Sequence, residues 1–254
     1  MIPKIAVVNH QTQFPAETVL DWAQAVYIQV NRDLAGSDWG IRATMGIAGP
    51  TTVVPPEWWQ VVLLDDTTQA GALGYHDITA SGQPLAKVFV KTAMSFGEAP
   101  SVTLSHEVLE MLVDPFVALV VMDGSEPTKF WAYEVCDAVE SDAHGYDITL
   151  PSGKVVRVSD FVLPQYFNSQ TAGTALPGPY SFKQSLNGTV PTLTPGGYMA
   201  FVQNGVWSQI QRFSTPADTP ARTLEELKQR VDSFLEPRRL LRLIPRKFWV
   251  RSAT

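Results

Sequence analysis

The chain of 254 residues has a single cysteine, Cys136. That excludes an intramolecular disulfide framework and any paired-cysteine zinc knuckle. Long apolar runs are missing too: the longest wholly apolar stretch, residues 115–122, is far short of the roughly 20 residues a membrane span needs. The N-terminus has only Ile5 to Val8 as an apolar run, so no signal peptide is expected and the setting reads as cytoplasmic. There is no glycine-rich phosphate loop, no GxSxG elbow and no Cys/His nucleophile pair. Charged residues are few, 17% against 45% hydrophobic. With a net charge of -6 the body is too acidic for general nucleic-acid binding and too apolar for disorder.

What charge there is lies unevenly. Ten acids fall between Glu107 and Asp147 (Glu107, Glu110, Asp114, Asp123, Glu126, Glu134, Asp137, Glu140, Asp142, Asp147) against one base, Lys129. The last 18 residues carry six bases (Arg238, Arg239, Arg242, Arg246, Lys247, Arg251) and no acid. Without that tail the body holds 13 Lys+Arg and 25 Asp+Glu, a balance of -12. A basic tail next to an acidic body can dock on an acidic surface, its own or a neighbour's; membrane-surface or nucleic-acid contact are the other readings.

Lys4 to Val8 predicts a buried strand, and Val19, Leu20, Trp22, Ala23, Val26, Tyr27 and Val30 recur at helical spacing between Pro15 and Leu34. Strands are predicted at Ile41–Ile47 and Trp59–Leu64. A further one at Leu85–Lys91 alternates lysines on one face and is expected near the sheet edge. Hairpins are predicted from Tyr146–Leu150 with Lys154–Val158, and from Tyr198–Gln203 with Val206–Phe213 across Asn204-Gly205. Residues 171–197 read as irregular wrapping. Thr223-Leu224-Glu225-Glu226 is a capping box opening a C-terminal helix that Pro237 stops. The expected fold class is α+β, with residues 1–220 as a metal-binding domain and 221–254 as a C-terminal helix and basic tail.

The chemistry sits on the helix from Pro100 to Asp114. His106, Glu110 and Asp114 fall at i, i+4 and i+8, about 40° apart around the axis, in an otherwise apolar helix. A buried ionisable stripe needs partners. His106-Glu107-x-x-Glu110 is a variant of the HExxH zinc-peptidase motif. Positions i and i+4 offer two ligands to one ion, and the intervening Glu107 can take a proton from water whose pKa the ion has lowered. One histidine and one carboxylate suit Zn²⁺ first, with Ca²⁺ or Mn²⁺ as alternatives. Asp114, Glu134 and Asp137 are the candidates for a third ligand. If residues 132–140 form a strand, Glu134 and Asp137 face opposite sides; if a helix, they cooperate. Cys136 reads as a small buried residue, His76 as a surface turn residue, and Tyr146 or Tyr166 as possible electrophilic hydroxyls.

The element order up to Asp114, with a strand just before the motif helix, resembles the N-terminal lobe of zincin metallopeptidases. Glu134, 28 residues after His106, is similar to the downstream ligand of the gluzincin branch, and Asp137 to its ligand-orienting aspartate, although ExxD stands here where ExxxD is usual. The resemblance implies a zincin-like lobe, a twisted mixed sheet over the motif helix completed by β-hairpins. It also implies a metal-dependent peptidase with Glu107 as general base and an extended peptide or protein substrate along Leu85–Lys91. HEVLEMLVDP, EVCDAVE and VSDFVLPQYF, within residues 70–170, also resemble a group of phage and prophage proteins. That likeness implies the alternative: a non-catalytic, virion-associated protein with a structural ion and neighbouring subunits as partners.

Overall fold

The structure is a computed structural model that describes residues 2–68, 72–186 and 191–212. Five strands form the main sheet: β1 (Lys4–Asn9), β2 (Thr44–Ala48), β3 (Trp59–Leu64), β4 (Gly74–Ile78) and β5 (Pro84–Phe89). Their order is β2-β1-β3-β5-β4; the first four run parallel and β4 pairs antiparallel with β5. β1 reads as an unbroken apolar run because both its faces are covered. Ile5 and Val7 enter the main core, while Ala6 and Val8 pack with Ala48 on the other side.

The architecture is α+β, with both helices and mixed sheets. α1 (Ala16–Ile28) and α3 (Pro100–Val113) pack against each other and against the sheet; α2 (Val90–Ser95) connects β5 to α3. An antiparallel sheet of order β11-β10-β7-β6 contains β6 (Val120–Met122), β7 (Lys129–Ala132), β10 (Tyr198–Gln203) and β11 (Val206–Gln211). β8 (Tyr146–Thr149) and β9 (Val155–Val158) form a separate hairpin, and α4 (Pro164–Ala172) follows it. Asn204 and Gly205 turn the β10–β11 hairpin with φ of 51° and 79°, the positive values that a two-residue turn of the primed type requires.

Two expectations need correction. The strand predicted near the edge, Leu85–Lys91, is β5, which ends at Phe89 and lies between β3 and β4. Its lysine face is accommodated by a neighbour and not by an open edge: Lys87 Nζ lies 5.4 Å from the Tyr75 ring centroid. The edge is β4, whose residues read as a turn. The long helix predicted from Pro15 to Leu34 is also two pieces, because Gln29–Leu34 is π-helical. There the fully buried Gln29 donates to Ser159 O (2.7 Å) and Tyr146 Oη (3.2 Å) and accepts from Ser105 Oγ (2.6 Å).

Every residue of α3 is buried. Its hydroxyls tie it to the β8–β9 region: Ser101 Oγ donates to Arg157 O (2.8 Å), and Ser105 Oγ accepts from Ser159 N (3.0 Å). No helix among the described residues is long and apolar enough to cross a membrane. The C-terminal helix and basic tail expected at 221–254 lie outside the described residues.

Candidate metal centre

α3 delivers His106, Glu107 and Glu110 into the interior, 9%, 4% and 1% exposed. Their partners come from the segment after β7. It is neither strand nor α-helix: Glu134 is irregular, a turn follows at Val135 and Cys136, and a 3₁₀ turn spans Asp137–Val139. That geometry resolves the strand-or-helix alternative, because it brings both acids to the same cluster from different directions. His106 Nε2 lies 3.3 Å from Glu110 Oε2 and 3.3 Å from Asp137 Oδ1. Glu134 Oε2 lies 3.6 Å from Nε2 of His76.

His76 is the residue that sequence reasoning placed wrongly. It is fully buried, not a surface turn residue. In β4 it pairs in register with Ala86, and the two-residue period puts it on the same face as Gly74, toward α3. Its Nδ1 lies 3.5 Å from Glu110 Oε2 and 3.8 Å from Glu107 Oε2. The available signal was the strand pair itself: Gly74 to Ile78 can be set antiparallel to Pro84–Phe89 across a short turn containing Gly82.

Glu110 is the pivot of the cluster. Its Oε1 accepts from the Cys136 backbone N–H (3.2 Å), which leaves Oε2 directed at both histidines. Burial alone pushes the Glu110 carboxyl up, but His106 and His76 outweigh it and hold it well below the usual carboxylate range. Burial likewise pushes His106 down, yet Glu110 and Asp137 together hold it well above its ordinary value. Burial, aided by the Glu110 charge, pushes Asp137 up to about 7. Burial also pushes the Cys136 thiol well up, so its sulfur stays protonated and the residue serves through its backbone.

Comparison with protein-family models, curated proteins and solved structures finds no match. The site's chemistry therefore rests on its own geometry. Two triads, His76–Glu107–Glu110 and His106–Glu110–Asp137, each place three donor atoms within 4.8 Å of one another and could hold a metal ion. For His and carboxylate ligands at about 2.0–2.2 Å in tetrahedral array, neighbouring donor atoms are separated by roughly 3.3–3.6 Å. The 3.3 Å spacings about His106 fall within that range.

Asp114 lies elsewhere. It ends α3, and its two oxygens accept from Ala118 N (3.0 Å) and Leu119 N (2.9 Å), a helix-end role. Tyr146 donates to Asp33 Oδ2 (2.8 Å), and Tyr166 to Thr192 O (2.9 Å) and Met199 Sδ (2.7 Å). Neither lines the pocket of about 30 Å³ beside the cluster; the tyrosine that does is Tyr198. His106, Glu107, Thr103 and Gly74 line it, together with the acids Glu98, Glu140 and Asp142.

The packing around Glu107 is tight. A Cβ on Gly74 would lie 2.6 Å from Glu107 Oε1 and 2.9 Å from Thr103 Cγ2. Only a residue without a side chain lets β4 approach α3 this closely.

Proposed function

We propose that this protein is a metal-dependent peptidase of the zincin type, with the ion held by His106, Glu110 and Asp137 and with Glu107 as general base. The observation that carries the reading is the triad on and beside α3: one imidazole nitrogen 3.3 Å from each of two carboxylate oxygens, all three donor atoms within 4.8 Å of one another. The donor set, one nitrogen and two oxygens, suits Zn²⁺ and accepts Mn²⁺. Once bound, such an ion lowers the pKa of a coordinated water and polarises a carbonyl. Glu107 sits on the wall of the adjoining pocket, where it can receive that water's proton. Tyr198 also lines the pocket and is the residue that could supply a hydroxyl to the developing oxyanion.

The substrate strand expected along Leu85–Lys91 is replaced by β4 in this reading. Both edges of β5 are occupied, by β3 and β4, so its backbone cannot pair with a peptide. β4 is paired on one side only among the described strands, and its Gly74 borders the pocket, which favours an extended peptide laid along it.

Burial of the triad favours a second reading, a structural ion in a non-catalytic protein. One experiment addresses both. Metal content is measured on protein purified without added metal, for wild type, His106→Ala and Glu110→Ala, followed by peptide hydrolysis by wild type and Glu107→Gln. The peptidase reading expects stoichiometric metal in wild type, less in His106→Ala and Glu110→Ala, and hydrolysis reduced about 10²-fold or more by Glu107→Gln. Bound metal with no hydrolysis, or with hydrolysis indifferent to Glu107→Gln, supports the structural ion. Wild type that neither contains nor takes up metal refutes both.

A further inference from the structure

We propose that the cluster is a two-ion centre, in which Glu110 bridges an ion held by His106 and Asp137 and a second ion held by His76 and Glu107. This rests on the metal-binding half of the proposed function and not on peptide hydrolysis. The donor atoms form two triads with Glu110 in both, not one group of five. Glu110 Oε2 is 3.3 Å from His106 Nε2 and 3.5 Å from His76 Nδ1, so one carboxylate faces both histidines at ligand spacing. With Glu107 Oε2 3.8 Å from His76 Nδ1, the second triad is slightly wider than the first. Contraction of a few tenths of an ångström brings it to the tetrahedral edge.

Charge gives an independent reason. Glu107, Glu110, Glu134 and Asp137 are all 5% exposed or less and gather around two imidazoles. In the fully metal-bound state, where ligand imidazoles are neutral and ligand carboxylates ionised, two divalent ions would match the charge of the four carboxylates. The opposite nitrogen of His76, Nε2, faces Glu134 Oε2 at 3.6 Å. A carboxylate behind the outer nitrogen is the usual means of fixing the ring of a metal-bound histidine. Glu134 is thereby a positioning residue for the second ion. The ions are divalent cations that accept imidazole nitrogen together with carboxylate oxygen, such as Zn²⁺, Mn²⁺ or Co²⁺, and not Mg²⁺ or Ca²⁺, which take oxygen. With both bound, Glu107 would serve as a ligand through Oε2, in place of the general-base role it has with a single ion. Such a pair would supply the clamp that, in two-metal hydrolysis, stabilises both the attacking and the leaving oxygen.

The test counts zinc ions. The full chain is stripped with a chelator and titrated with Zn²⁺, and bound metal is counted by mass spectrometry after desalting, with circular dichroism as the check on folding. Two ions per chain are expected in wild type, one in His76→Ala and in Glu107→Gln, and none in Glu110→Ala. X-ray absorption of the two-zinc protein should add a metal–metal distance of roughly 3.5–4 Å. If His76→Ala does not fold, Glu107→Gln, which keeps the side chain's shape, carries the same count. Wild type saturating at one ion, with Glu107→Gln also at one, overturns the second site and leaves the proposed function standing. Two ions without the metal–metal distance overturn the bridge. No uptake at all overturns both proposals.

Discussion

Gly74→Ala isolates the contact between β4 and α3. Gly74 is absent from the positive-φ residues, so its backbone accepts alanine and the penalty is steric alone. The new methyl would meet Glu107 Oε1 at 2.6 Å, Glu107 Cγ at 2.9 Å and Thr103 Cγ2 at 2.9 Å. Favourable carbon contacts lie at about 3.5–4.0 Å, so either the strand moves out or Glu107 leaves its rotamer. Overpacking of this kind costs about 1–3 kcal/mol. Loss of glycine's freedom in the unfolded chain offsets some ~0.4–1 kcal/mol of that. The net loss, about 1.3 kcal/mol at mid-range and at most about 2.6, corresponds to a fall in Tm of roughly 3–5 °C at mid-range for a domain of this size. Gly36→Ala is the control: nothing lies within 4 Å of the added carbon, and its φ is not positive. It should leave Tm unchanged or raise it slightly. Calorimetric or circular-dichroism melts of the two variants decide the matter, and Thr103→Ser added to Gly74→Ala should recover part of the loss. A Gly74→Ala protein melting at or above wild type would refute the close approach from which the placement of Glu107 and His76 follows.

Two other perturbations test the surroundings of the cluster. Burial, with Glu98 nearby, pushes the Asp142 carboxyl up from its ordinary 3.8 to about 7, although its Oδ2 accepts from Ala99 N–H (2.7 Å). The folded state therefore holds this proton more tightly than the unfolded one. Its contribution favours folding at low pH and is withdrawn as pH rises from about 4 to about 7. Asp142→Asn should gain stability relative to wild type across that window; a Tm difference independent of pH would show that Asp142 is not the group responsible. Asp114→Ala should cost about 1–2 kcal/mol, since two backbone N–H groups lose their acceptor, while metal content stays at the wild-type value. A fall in bound metal in a folded Asp114→Ala protein would make Asp114 a ligand after all.

The elements most legible in the sequence were those whose pattern is local. Trp59–Leu64 is apolar on both faces because it lies inside a parallel sheet, and Asn204-Gly205 supplies the backbone angles its hairpin demands. The i, i+4 spacing of His106 and Glu110 likewise fixes their common side of α3. β4 was hidden because its inward face is made of Gly74 and His76, one with no side chain and one polar, so no apolar alternation marks it. His76 was lost with it. The lysines of β5 suggested an edge because charge on a strand usually faces water; here an aromatic ring on β4 receives Lys87. The choice among Glu134, Asp137 and Asp114 could not be read from spacing, because it depends on a turn followed by a 3₁₀ turn.

A helix buried on every side has no amphipathic stripe to tell it which way to face, since a rotation about its axis would exchange one apolar surface for another. In α3 the Ser101 and Ser105 hydroxyls break that symmetry by their bonds to Arg157 O, Gln29 and Ser159 N. They act as a spline: with those teeth engaged, His106 and Glu110 have a single azimuth, toward β4 and the segment after β7. The aim of the ionisable groups is thus set by neutral hydroxyls on the same helix and the chain they bind.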